Sequence, residues 1–137
     1  MRAIGTLAAL GIVLLLLTGC GHIAGGAPAS DPSGDLASRV ASVWEAKVRG
    51  DWTRVYEATT LEYRQKMSRE AFLSAPHVVV ASYEVQDMAL APSGDSALVR
   101  IKAVLRQAGF DFPATIKDTW RREGGHWRYA PPVAPGS

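Results

Sequence analysis

The apolar positions of the chain change their period once. From Leu36 to Val48 they recur at steps of three and four, at Leu36, Val40, Val43, Trp44 and Val48. That spacing lays them along one stripe of a helix, opened by the Asp31-Pro32-Ser33 start signal and ended by Gly50. Asp51 offers the side-chain oxygen that a second helix needs at its N-cap, and Trp52, Val55 and Tyr56 share one face of that helix. The segment TTLEYRQKMS continues with Thr59 and Glu62 at capping-box spacing. Ser68 caps a short helix through Ala71, Phe72 and Leu73, which Pro76 stops. The first half therefore reads as helices joined by sharp corners.

From His77 the period is two. In SALVRIKAVLR, residues Ala97, Val99, Ile101, Ala103 and Leu105 point one way, and Arg100, Lys102 and Arg106 point the other, as in a strand with one buried face. Upstream, HVVVASYEVQDMALA slips from Val79, Tyr83 and Val85 to Met88 and Leu90, which predicts a bulge near Gln86 or Asp87. Pro92-Ser93-Gly94-Asp95 makes the hairpin turn. The next strand, Phe110 to Arg122, puts Phe112, Ala114, Ile116, Asp118 and Trp120 on one face. Glu123-Gly124-Gly125 turns it into HWRYA, with Trp127 and Tyr129 inward. Pro113 cannot donate to a ladder, so that strand should begin at an edge or a bulge. Helices followed by an antiparallel meander predict an α+β domain over residues 35–132, with N-terminal helices packed on one sheet face, and a frayed tail over 133–137.

The N-terminus follows neither period. Behind Arg2, an uninterrupted run from Ala3 to Leu17 is 15 residues long, the shape of a secretory signal and short of the roughly 20 apolar residues of a membrane span. An uncleaved anchor is disfavoured because Gly19, Gly21, Gly25 and Gly26 are poor helix formers. Leu17-Thr18-Gly19-Cys20 resembles the lipobox of bacterial lipoproteins. The resemblance implies removal of residues 1–19, lipidation of the Cys20 sulfur by a diacylglyceryl group, and a flexible tether over residues 20–34. Two or three acyl chains suffice for stable anchoring. Gly21 is not the Asp that resembles an inner-membrane retention signal, so in a host with an outer membrane that membrane is the expected location. The domain would then face the periplasm or the exterior.

Composition narrows the chemistry. The chain has 137 residues, 47% hydrophobic and 20% charged, as expected for one globular domain. A net charge of +2, falling to +1 without Arg2, does not suggest a nucleic-acid partner. One Cys rules out an intrachain disulfide, and three scattered His show no CxxC or HxxxH spacing, so neither a metal nor a cofactor is expected. Arg49-Gly50-Asp51 spells an adhesion tripeptide, but those residues are also what a helix end, its glycine and the next N-cap require. Arg100, Lys102, Arg106, Lys117, Arg121 and Arg128 lie on outward sides of the strands. They predict a solvated basic face, or less simply a docking surface for an acidic partner or lipid headgroups.

The segments VRGDWTRVYEATTLEYR, SREAF and DTWRREGGHWRY resemble the NTF2-like (cystatin-like) superfamily over residues 35–131, particularly its small bacterial lipoproteins of unknown function. That resemblance implies a curved sheet wrapped round the helices as a cone with a cavity at its open end. Family members use the cavity for isomerase, dehydratase, cyclase or epoxide-hydrolase chemistry, or for none known. The inward faces here read as almost wholly apolar, and Asp118, between Ile116 and Trp120, is the exception. Two readings follow: a rim carboxylate, solvated or paired with an Arg, or a buried base with Tyr83 or Tyr129 as hydrogen-bond partner. The expectation is a non-enzymatic lipoprotein that binds an envelope protein or a small apolar ligand, with Asp118, Trp120, Tyr83 and Tyr129 at the ligand. The alternative is an enzyme using Asp118.

Overall fold

The computed structural model describes residues 32–133, with side chains from Asp35 onward. The expected leader, Cys20, most of the tether and most of the tail lie outside the described residues. Helix α1 (Pro32–Arg49) begins ahead of the expected domain start at Asp35. Its proline stands at the first helical position, where a missing N–H costs nothing. Gly50, at φ 71°, ends it in the left-handed region that glycine adopts most readily.

Three short helices follow: α2 (Trp52–Glu57), α3 (Leu61–Lys66) and α4 (Arg69–Ser74). Asp51 caps α2 by accepting from the Arg54 N–H, and Ser68 caps α4 by accepting from the Ala71 N–H, both as the sequence predicts. The cap of α3 is Thr60 rather than Thr59. Thr59 is instead fully buried, its hydroxyl donating to the Tyr56 carbonyl at 2.6 Å. Its Glu62 partner bonds Lys66 and Arg121 instead.

The sheet is an antiparallel meander, β1 (Val79–Leu90), β2 (Ser96–Gln107), β3 (Phe110–Glu123) and β4 (His126–Ala130), in that spatial order. β1 shifts register between Val85 and Asp87, at the predicted bulge, and again between Val80 and Ser82. Each extra residue moves the inward positions by one, so Val80, Tyr83, Val85, Met88 and Leu90 all stand opposite inward residues of β2. Pro113 meets its expectation too. The Arg122 N–H donates to Asp95 on the β2 side, and β3 runs without a register break. By alternation the Pro113 nitrogen faces the opposite edge, where β4 is absent because it pairs only with Thr119–Glu123. The Ala58–Thr60 segment closes the outer edge of β4: the Tyr129 N–H donates to the Ala58 carbonyl, and the Thr60 N–H to the Tyr129 carbonyl, both at 2.9 Å.

One core joins the layers. Leu36, Val40, Val43, Trp44 and Ala46 of α1 and Val55 of α2 pack on Val99, Ile101, Trp120 and Trp127 of the sheet. Trp44, Trp120 and Trp127 are each at least 98% buried. Each such ring removes on the order of 150–250 Å² from water, a gross stabilisation of roughly 4–6 kcal/mol at about 25 cal/mol per Å² before ordering entropy is set against it.

The α+β arrangement holds, but the NTF2-like cone does not form. Among the described residues, three of the four helices have only six residues, and the sheet has only four strands. At 1.5 Å per residue the 18-residue α1 spans about 27 Å, whereas the 14-residue β3 spans about 46 Å. The helices therefore cannot cover the hairpin between β2 and β3. Phe112, expected on the buried face, is 48% exposed, and Phe110 beside the turn is 68% exposed.

Candidate functional site

Residue type alone puts Lys47 on the solvent side of α1, and the stripe above continues to Val48 instead. Helix geometry says otherwise: at about 100° per residue, Lys47 lies roughly 20° around the axis from Leu36 and Val48 roughly 120°. Val48 is accordingly 39% exposed, while Lys47 is 8% exposed. Its ammonium lies under the helix against the centre of β3.

There it meets the carboxylate that the sequence singles out. Asp118 is 3% exposed, so it is neither a rim residue nor paired with an arginine. Its Oδ2 accepts from the Trp44 indole N–H at 2.8 Å and lies 3.8 Å from Lys47 Nζ. Lys47 also donates to the Tyr129 hydroxyl at 3.5 Å, and its charge sits 4.1 Å from the Trp44 ring centre and 4.5 Å from that of Tyr129. Two aromatic faces, one carboxylate and one hydroxyl thus replace the water that a buried ammonium loses.

The charges shift accordingly. Burial lowers Lys47 from its ordinary value, and the Asp118 carboxylate opposes this. Burial, and then Asp118, push the Tyr129 hydroxyl well above the usual phenol range, so it remains a neutral donor. Three of the four residues expected at a ligand, Asp118, Tyr129 and Tyr83, meet Trp44 or Lys47. Tyr83 lies 5.7 Å from Trp44, ring to ring, and donates to the Ala41 carbonyl at 3.4 Å. Trp120 lies 5.6 Å from Tyr129.

Only one of those four, Tyr129, reaches the apolar cleft beside this cluster. The cleft has a volume of about 270 Å³. The helices supply Trp52, Val55 and Phe72, the strands Val80, Leu105 and Ile116, and Lys47 with Tyr129 contributes the polar groups. Asp118 stands behind Lys47 rather than in the wall, so it orients the ammonium instead of touching an occupant. His77, just ahead of β1, is also a wall residue: it stacks on Trp52 at 4.0 Å and its Nε2 lies 2.9 Å from the Phe72 carbonyl oxygen. Among the described residues no cluster of His, Cys, Asp or Glu could hold a metal ion.

Half of the outward basic face is neutralised. Arg100 pairs with Asp87, Arg106 with Asp111 and Arg121 with Glu62. Arg128 differs, donating to the Glu57 carbonyl at 3.3 Å and lining a second, polar cleft of about 210 Å³ with Arg39 and Arg54.

No protein-family model matches the chain, and no curated relative does. The fold is similar to the solution structure of a SEC-C motif containing protein from Rhodopseudomonas palustris, with a TM-score of 0.54 and 18% identity over 74% of this chain and 87% of that one. At that identity the likeness concerns the fold alone. It sets the helices and four-stranded sheet beside that protein and not beside the NTF2-like cone.

Proposed function

We propose that the chain is an extracytoplasmic lipoprotein, anchored through Cys20, whose folded domain holds a small apolar ligand without transforming it. The observation that carries the binding half is the apolar cleft of about 270 Å³ with the Lys47 ammonium and the neutral Tyr129 hydroxyl among its walls. Its size lies just below that of most ligand pockets, which run from about 300 to 1,000 Å³. A short hydrocarbon chain or a single ring with one acceptor atom suits it, the apolar walls taking the body and Lys47 or Tyr129 the acceptor. Asp118 supports binding over catalysis, because one oxygen is held by the Trp44 N–H and the carboxylate does not line the cleft.

The anchor rests on the Leu17-Thr18-Gly19-Cys20 resemblance. Among the described residues no helix is long and apolar enough to cross a membrane. Mass spectrometry of the membrane fraction should find a diacylglyceryl group on Cys20 with nothing before it; an intact chain from Met1 overturns the anchor. For the cleft, tryptophan fluorescence of the full chain titrated with hexanol and hexanoate should saturate. Ile116→Trp should fill the cleft and abolish the change while circular dichroism stays native. Saturation unchanged in Ile116→Trp, or no saturation in the parent chain, overturns the ligand reading.

A further inference from the structure

We propose that the second cleft, on the other side of α1 from Lys47, is a binding site for a phosphate monoester. Three guanidiniums from three elements converge on it: Arg39 from α1, Arg54 from α2 and Arg128 from β4. None of the three forms an ion pair among the described residues, whereas Lys66, Arg100, Arg106 and Arg121 each hold a carboxylate. Two of them are braced by neutral acceptors that leave their charge unspent. Arg54 donates to the Ser42 hydroxyl at 3.2 Å and Arg128 to the Glu57 carbonyl at 3.3 Å. Like charges gathered in this way repel one another unless an anion joins them.

A second, independent observation lies in the wall of the same cleft. Trp120 is fully buried, forms part of the wall of this cleft, and its indole N–H has no hydrogen-bond partner. Buried donors are satisfied in nearly all folded proteins, and Trp44 meets that rule through Asp118. Trp120, in the same core, does not.

The donor set selects among anions. A carboxylate offers two oxygens, fewer than three guanidinium forks can use; a phosphate monoester offers three terminal oxygens in the geometry that such forks match. Three guanidiniums against the single Glu57 carboxylate leave two positive charges, which fits the charge of about −1.5 to −2 that a monoester carries at pH 7. At about 210 Å³ the cleft takes the phosphoryl group and a few carbon atoms of what bears it. The bearer is either a soluble metabolite or a lipid headgroup, and both present the same monoester.

The test uses the full chain, isotopically labelled, in maltoside micelles. Its four tryptophans give four indole N–H resonances, assigned by Trp→Phe variants. Glycerol phosphate should move the Trp120 resonance and leave that of Trp44, already bonded to Asp118, in place. Arg39→Gln with Arg128→Gln should raise the Kd about tenfold or more, as expected on losing charge-assisted contacts. Phosphatidate added to the micelles titrates the lipid source. A tighter response than to glycerol phosphate assigns a headgroup, and a weaker one assigns a soluble ester. An unmoved Trp120 resonance with both probes, an unchanged Kd in the double variant, or an equal response to acetate overturns the proposal.

Discussion

Helix α1 presents two kinds of cation to two clefts, and they are handled in opposite ways. On one side Lys47 is almost fully buried and surrounded by Asp118, Tyr129 and the ring of Trp44. On the other, Arg39 is exposed and joins Arg54 and Arg128 with no carboxylate bound to any of them. Solvent accounts for the difference. A charge withdrawn from water must be matched within the protein or it destabilises the fold by several kcal/mol, while an exposed guanidinium keeps its hydration and can stay unpaired at little cost. The buried cation is therefore committed to the structure, and the exposed ones remain available to a ligand.

Breaking the buried pair should have the largest effect. Asp118→Ala removes the counter-charge of Lys47 and the acceptor of Trp44 together, and should cost about 3–5 kcal/mol in denaturant unfolding, as for other buried pairs left half-made. The double variant with Lys47→Met should recover part of that loss, because no uncompensated charge remains. If the double variant is less stable than Asp118→Ala alone, Lys47 contributes through packing rather than through charge. Trp44→Phe should cost less, about 1–3 kcal/mol, the usual penalty of an unmet buried acceptor, measured in the same way.

The pair also sets a pH dependence of opposite sign on two limbs. Burial lowers Lys47 below its ordinary 10.5, so between its folded-state value and 10.5 the unfolded chain binds more protons and stability rises with pH. Tyr129 is raised above its ordinary 10.0, and Tyr63 and Tyr83 are raised as well. Above 10.0 the unfolded chain releases phenol protons that the folded chain keeps, so stability falls. Unfolding of Lys47→Met against the parent chain over this range should show the rising limb removed and the falling limb kept. A difference that does not vary with pH would mean that Lys47 titrates normally in the fold.

Much of this arrangement is legible from residue types and spacings, and the rest fails for identifiable reasons. The caps at Asp51 and Ser68, the turn at Pro92–Asp95, the bulge before Asp87 and the inward face of β2 depend on neighbours a few residues away. Local chemistry decides them. Lys47 fails because charge is read as exposure, although its angular position among Leu36, Val40 and Val43 places it inside. Thr59 fails because a strand edge, formed with the distant Tyr129, overrides the capping box. The cone fails because loose motifs carry no information on helix length against strand length. The arginine cleft is invisible in the chain because its members come from α1, α2 and β4, and only the folded edge of the sheet brings them together. Asp118 is found for the right reason, its inward register, but its contacts with Lys47 and Trp44 are not.

The smallest expected effect on stability completes the contrast between the two clefts. Arg39→Gln removes an exposed charge and Arg128→Gln a half-buried one, neither with an ionic partner, so each should change unfolding stability by no more than about 0.5 kcal/mol, the range of ordinary surface substitutions. Relief of repulsion among the three guanidiniums biases the change towards stabilisation. Arg106→Gln is the control, since it breaks an exposed two-bond pair with Asp111 and should cost up to about 1 kcal/mol without touching either cleft. Thermal unfolding of the three variants ranks them. If Arg39→Gln or Arg128→Gln costs more than Arg106→Gln, these arginines are structural and the contrast with Lys47 collapses. If they cost less while weakening the response to glycerol phosphate, their charge serves binding, as the buried charge of Lys47 serves the fold.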